Sequence, residues 1–360
     1  MMRRLAALFV FVAVVSALPP GRLANQGASA FARQIAALSE PGGSFDTDNL
    51  ISNESSYLQV LPELERARIT GGAYIGVGPD QNFTYIAQIR PAIAFIVDIR
   101  RDNLLLHLLF KALFELSRTR VDYLASLFGR PVPADSAPWR SASIDRLVDY
   151  IDHARPADVD SLRARLDRAI AAFGVPLSSD DRRTIDQFHR RFIDSGLSLR
   201  FESAGRPPRS YYPSYRDLLL DRDTSGRQSN VFASEDAYQF VRSLEARDLI
   251  IPVVGNLAGP SALAALGRLL AARHEQLSAF YTSNVEFYLF RDGVFPRFVA
   301  NLRMIPHREH TVLIRSIFNR YALDGARPGD DSVSRLYRVD DLLAAAAAGK
   351  IRGYVDLIER

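Results

Sequence analysis

The chain has 360 residues, 48% of them hydrophobic and 24% charged, with a net charge of +4, which excludes a disordered or strongly polyionic protein. Of its 45 basic residues only Lys111 and Lys350 are lysines, and no run or face concentrates the arginines, so no specific nucleic-acid partner is expected. Cysteine is absent, which removes disulfides, thiolate catalysis and the usual structural zinc sites.

The chain opens with Arg3 and Arg4, an apolar run from Leu5 to Leu18, and small-residue sites at Val15-Ser16-Ala17 and Ala28-Ser29-Ala30. Residues 1–30 therefore read as a signal peptide or N-terminal anchor. The apolar run is shorter than the roughly 20 residues of a membrane span, so no transmembrane span is expected in the mature chain. Cleavage would place the protein in the periplasm or envelope; otherwise it stays in the cytoplasm. Residues 31–70 form a mixed leader with a break at Pro41-Gly42-Gly43, the string Ser52-Asn53-Glu54-Ser55-Ser56-Tyr57 and a short helix from Leu58 to Arg66.

Next comes a strand from Ala73 to Val77, a turn through Gly76 and Gly78, a helix starting at Asn82 and stopping near Pro91, and a strand from Ala92 to Val97 ending in Asp98. Asp98 lies twenty residues after Gly78. At that spacing a carboxylate at the second strand's tip can accept bonds from ribose hydroxyls while the turn amides face the rest of a nucleotide ligand. Asp102-Asn103 reads as a helix cap for LLLHLLFKALFEL, which is apolar almost all round and must be buried, with His107 inside it as a packed core residue.

From Arg118 to Arg247 helical periods and prolines dominate, predicting an inserted helical subdomain over residues 118–247 between the halves 31–117 and 248–360 of one α/β domain. Within it Arg206 to Asn230 shows no period, and its tyrosines, among them Tyr212 and Tyr215, predict an ordered loop or lid that touches substrate. Alternation resumes with a strand from Leu249 to Val254, a turn from Gly255 to Gly259 and a helix from Pro260 to His274. A strand from Ala279 to Ser283 follows, with Asn284 and Glu286 just past its end, then a helix from Gly293 to Asn301, a strand from Thr311 to Ile317 and an alanine-rich helix near Ala344 to Ala348. His307 and His310, with no evident third ligand, read as surface histidines rather than a metal site.

Five strands joined by helical crossovers imply a doubly wound, mostly parallel α/β sheet, whose ligand lies beyond the carboxyl ends of the strands. Four tips carry the Gly, Asn, Asp and Glu clusters: Gly76, Val77, Gly78 and Asn82; Asp98, Ile99 and Arg100; Gly255, Asn256 and Leu257; Ser283, Asn284 and Glu286.

This order of tips resembles that of class I S-adenosylmethionine-dependent methyltransferases over roughly residues 50–110 and 248–320, with a Rossmann-like fold. The strings SNESSY, GVGPDQNFTYIA, DIRRDN and YTSNVE are also similar to those of an uncharacterised bacterial family assigned to that fold. The resemblance implies that Gly76 and Gly78 wrap the amino-acid part of the cofactor, Asp98 binds ribose, Asn256 and Leu257 flank adenine, and Asn284 lies by the reacting methyl. The chain departs from that pattern where Tyr74 stands in place of an acid and where Pro79, Asp80 and Gln81 follow Gly78 without a third glycine. The missing glycine at Gln81 also disfavours a dinucleotide oxidoreductase.

Methyl transfer needs alignment and sometimes proton removal, which makes Asn284 the candidate for orienting an acceptor, Glu286 for a base, and Glu54 and Tyr57 for closing the pocket if their segment folds over the tips. Neither the acceptor nor the oligomeric state is written in the sequence. The alternative reading is a non-catalytic or differently liganded envelope protein that uses the same crevice for another small molecule.

Overall fold

The computed structural model describes residues 29–203, 206, 209–318, 321, 327 and 330–358, so the leader segment before Ser29 lies outside the described residues. Six strands form one sheet: β1 (Ala73–Gly76), β2 (Ile93–Asp98), β3 (Ile250–Val254), β4 (Leu277–Ser283), β5 (His307–Phe318) and β6 (Ser332–Arg338). Their order is β3-β2-β1-β4-β5-β6; the first five in sequence run parallel, and β6 is antiparallel to β5. Every residue of β1 and β3 is buried, as is β2 up to Asp98, which is why these strands read as unbroken apolar runs. The architecture is thus α/β with a mostly parallel mixed sheet.

The order reverses between β1 and β4. Right-handed crossovers place the helices that link β1, β2 and β3 on one face and those that link β3, β4 and β5 on the other. The contacts follow: helix Glu235–Glu245 packs on helices Gln81–Ile89 and Arg101–Leu116, whereas helix Phe295–Arg303 packs on Ala262–Ala272 and Val339–Ala347. Helices Asp160–Ala172 and Ser179–Ser195 lie against Arg101–Leu116, whose Leu104 to Phe114 are all buried. Its apolar circumference is explained by having the sheet on one side and these helices on the other.

Several local expectations are corrected. Strand β6 was not anticipated because Arg335 to Arg338 are not buried, which dilutes its pattern. Strand β5 begins at His307, so His307 and His310 lie in the strand; His307 meets Asp340 at 3.1 Å. Asp102 and Asn103 fall in the first turn of their helix rather than capping it, since Arg100 is the N-cap residue. The leader helix is shorter, Leu61–Arg66, and the span expected as one helix from Gly293 is preceded by another, Val285–Arg291. The aperiodic stretch after Arg206 contains a helix, Tyr215–Leu220, opened by a reciprocal Ser214–Asp217 cap.

Residues 39–53 join the crown of the sheet, a placement that their sequence does not announce. Ser39 Oγ accepts the amide of Val254, Glu40 N donates to Val254 O, and Gly43 N donates to Ile99 O. This segment runs across the ends of β3 and β2 as a strap.

Candidate functional site

The first tip is built by one asparagine. Asn82, fully buried, sends its Nδ2 to the carbonyls of Val77 (2.9 Å) and Pro79 (2.7 Å), and its Oδ1 accepts the Tyr74 hydroxyl at 2.8 Å. Tyr74 is therefore a clamp on the turn. Gly76 is required by that clamp, because a Cβ there would lie 1.8 Å from Asn82 Oδ1. Gly78 has φ +81°, a left-handed conformation that favours glycine. Beneath it His107 Nε2 lies 2.9 Å from Gly78 O, so this nitrogen carries the proton, and burial holds the imidazole's pKa down at about 4. His107 is a neutral support for the turn.

The second tip is similarly occupied. Asp98 Oδ1 accepts from Arg100 N (2.9 Å) and Nε (3.1 Å), and Oδ2 accepts from Arg100 Nη2 (3.1 Å) and, at 3.5 Å, from Asn49 Nδ2. Oδ1 holds two close donors, whereas on Oδ2 the second, Asn49 at 3.5 Å, is long enough to give way to another donor. Arg100 is fixed in turn by Thr47 O at 2.7 Å.

At the third tip the chain supplies its own anion. The Glu40 carboxylate accepts the amides of Asn256 (2.8 Å), Ser261 (2.9 Å) and Ala262 (3.0 Å) at the start of helix Ala262–Ala272. Burial raises its pKa, but these amides outweigh burial and hold it below the ordinary value. Gly259 permits the approach, since a Cβ there would meet Glu40 Oε1 at 1.9 Å.

At the fourth tip Ser283 adopts a left-handed φ of +53°, unusual for a side chain other than glycine. Its Oγ donates to buried Glu54, which also accepts the hydroxyls of Tyr281 (2.7 Å) and Ser316. Burial pushes the Glu54 carboxyl above its ordinary pKa, and the three hydroxyls oppose that rise. Glu286 is buried and pairs with Arg315 Nε at 3.0 Å, while Arg315 lies 4.3 Å over the Tyr337 ring.

The four tips enclose a cavity of about 250 Å³, whose remaining wall comes from the strap (Phe45, Thr47, Asn49) and from helix Val285–Arg291. Val77, Gly78, Asp98, Ile99, Arg100, Asn256, Leu257 and Asn284 all line it. The other candidates do not. Gly76 and Asn82 build the turn from behind; Tyr57 is buried with its hydroxyl on Leu218 O at 2.7 Å; Tyr215 is buried against Asp80. Glu54 and Glu286 are buried under the fourth tip, which removes Glu286 from the role of base and Glu54 from direct substrate contact. Tyr212 lines a second cavity of about 490 Å³ together with Arg206, Arg209 and Tyr211. The two cavities share Thr47, Asn53, Phe201, Asn284, Tyr288 and Arg291 as walls.

Sequence reasoning missed the strap, Phe201 and Tyr288, whose ring meets Phe45 edge to face at 4.8 Å. It also passed over Gln81, which lines the cavity, donates Nε2 to the Tyr281 hydroxyl at 3.1 Å, and keeps a buried Oε1 with no partner. Among the described residues no helix is long and apolar enough to cross a membrane. A family model described as a domain of unknown function, DUF7790, matches residues 50–130 and 201–339, leaving out the stretch that holds helices Ile144–His153, Asp160–Ala172 and Ser179–Ser195. A search of curated proteins finds no match.

Proposed function

The chain belongs to the DUF7790 family, and from its crevice we propose that it is a methyltransferase-like protein that binds S-adenosylmethionine or a closely related nucleoside at the strand tips. The observation that carries the reading is the cavity itself: it lies beyond the carboxyl ends of β1, β2, β3 and β4, where the strand order reverses, the position at which doubly wound sheets take nucleotides.

The donor set suits a nucleoside. Asp98 Oδ2 can take one ribose hydroxyl in place of its 3.5 Å contact with Asn49, and Val97, Ile99, Leu257 and Val285 offer apolar walls to a base. Gln81 Oε1 is an orphaned acceptor for an N–H donor such as the amine of the cofactor's amino-acid part. When bound, S-adenosylmethionine supplies an already activated methyl group, so the chain need only hold an acceptor in line with it. Asn284 walls both cavities, which suits it to orient an acceptor held in the second cavity toward the first. With Glu286 tied to Arg315 and Tyr57 to Leu218 O, neither can take a proton from that acceptor.

A second reading, binding without transfer, is favoured by the Asp98–Arg100 pair, which saturates one carboxylate oxygen. Calorimetric titration with S-adenosylmethionine and S-adenosylhomocysteine tests the binding claim on wild type and Val285→Trp, which fills the cavity without unpairing a charge. The wild type should bind and the variant should not. Absence of wild-type binding, or full binding by a folded Val285→Trp, sinks the nucleoside reading. A labelled-methyl assay on the binding-competent chain separates transfer from binding alone.

A further inference from the structure

The charged side chains that line the first cavity cancel in pairs. Asp98 is bonded to Arg100, and Arg291 Nε meets Asp292 at 2.7 Å. Under the cavity floor lies one carboxyl group with no cation beside it among the described residues. Glu54 is buried, its hydrogen bonds come from the hydroxyls of Tyr281, Ser283 and Ser316, and it makes no ion pair among the described residues. The other buried glutamate of this region, Glu286, differs in having Arg315 beside it.

Two conduits connect Glu54 to the cavity. Ser283, itself a cavity wall, donates to Glu54 directly. The second runs through Tyr281 to Gln81. The Tyr281 hydroxyl donates its hydrogen bond to Glu54, as it must toward an ionised carboxylate; the phenolic oxygen then accepts from Gln81 Nε2, and the amide's oxygen end is left without a partner. Each link polarises the next and enhances the negative charge on the oxygen of Gln81, a residue that lines the cavity.

We propose that Glu54 is kept ionised in its buried site by the three hydroxyl donors and is a specificity-determining residue: its charge, carried to the cavity by Ser283 and by the Tyr281–Gln81 chain, selects ligands that bear a positive centre over their neutral counterparts. A sulfonium nucleoside is such a ligand and its thioether product is not. The assignment rests on the nucleoside reading of the cavity, and it adds a sign preference that favours entry of the charged donor and exit of the neutral product.

The test compares dissociation constants for S-adenosylmethionine and S-adenosylhomocysteine in wild type, Glu54→Gln and Ser283→Ala. The Glu54→Gln side chain is close to isosteric, and the three hydroxyls around it can reorient to suit an amide. Wild type should prefer the sulfonium by about tenfold or more, the scale of a charge–charge interaction across a partly shielded path. Glu54→Gln should abolish the preference while thioether affinity stays within about threefold, and Ser283→Ala should reduce it. An unchanged preference in folded Glu54→Gln overturns the assignment and leaves the nucleoside reading intact. Failure of wild type to bind either nucleoside overturns both. A ligand-free readout stands beside these: the infrared difference between wild type and Glu54→Gln at pH 7.5 should contain a carboxylate band, and a protonated-carboxyl band in its place overturns the assignment.

Discussion

If Gly76 is a glycine because of Asn82 rather than because a ligand approaches it, then Gly76→Ala must harm the ligand-free chain, and removing Asn82 must rescue it. The added Cβ would sit 1.8 Å from Asn82 Oδ1 and 2.6 Å from the Tyr74 hydroxyl. Something has to move. Overpacking of this kind costs about 1–3 kcal/mol, and displacing Asn82 strands the buried Tyr74 hydroxyl and the turn carbonyls at about 1–3 kcal/mol more. Asn82→Ala alone loses the carbonyl and phenol bonds, roughly 2–4 kcal/mol. In the double variant the shortest clash is gone, and the two that remain are both with the outer part of the Tyr74 side chain, which the loss of Asn82 frees to move. The double variant should therefore be about as stable as Asn82→Ala, with a favourable coupling equal to the whole cost of Gly76→Ala, roughly 2–6 kcal/mol. Urea unfolding followed by circular dichroism at constant m-value supplies all four corners of the cycle. A neutral Gly76→Ala, or strictly additive losses, refutes the account of the turn and returns Gly76 to the ligand.

Three further outcomes are expected. His107 has a folded pKa of about 4 against about 6.5 unfolded, so the unfolded chain binds more protons between these values; its contribution is present above pH 6.5 and lost as pH falls toward 4. Between pH 7 and pH 5 wild type should lose about 2 kcal/mol more than His107→Gln, which keeps an amide donor for Gly78 O; parallel pH profiles of the two chains would contradict this. Arg315→Met leaves buried Glu286 without its partner and should cost about 3–5 kcal/mol, whereas adding Glu286→Leu should restore most of the loss in thermal unfolding; no restoration means that the pair is not the cause. Glu40→Ala uncovers the amides of Asn256, Ser261 and Ala262 and should destabilise by about 1–2 kcal/mol, with faster hydrogen exchange confined to these amides and to the strap; unchanged exchange there removes Glu40 from its role.

The parallel sheet was legible because buried strands leave long apolar runs and the crossovers leave helical periods between them. The tips were legible because glycine, asparagine and acids cluster where a strand stops. What sequence could not show is direction and partnership. Glu54 and Glu286 read as a pocket-closing residue and a base at the crevice, but whether a carboxylate points into a cavity or beneath it depends on partners that spacing does not reveal: Ser283 and Ser316 for Glu54, Arg315 for Glu286. Asp98 met its expected place, yet its neighbour Arg100 takes most of its hydrogen-bonding capacity. The strap was illegible for another reason. Phe45, Thr47 and Asn49 have no periodicity, and long-range bonds bring them over the cavity: those of residues 39–43 to the ends of β2 and β3, and those of Thr47 and Asn49 to Arg100 and Asp98. Tyr74 reads as a departure from a motif until Asn82 is seen to receive its hydroxyl.

The central claim is that the crevice between β1 and β4 takes a nucleoside, and a crystal structure of the chain grown with S-adenosylhomocysteine tests it most directly. The account predicts ligand density bounded by Gly78, Asp98 and Leu257, with a ribose hydroxyl on Asp98 Oδ2 and an amine nitrogen on Gln81 Oε1. Density elsewhere, or an empty crevice in a chain saturated with the ligand, would contradict it.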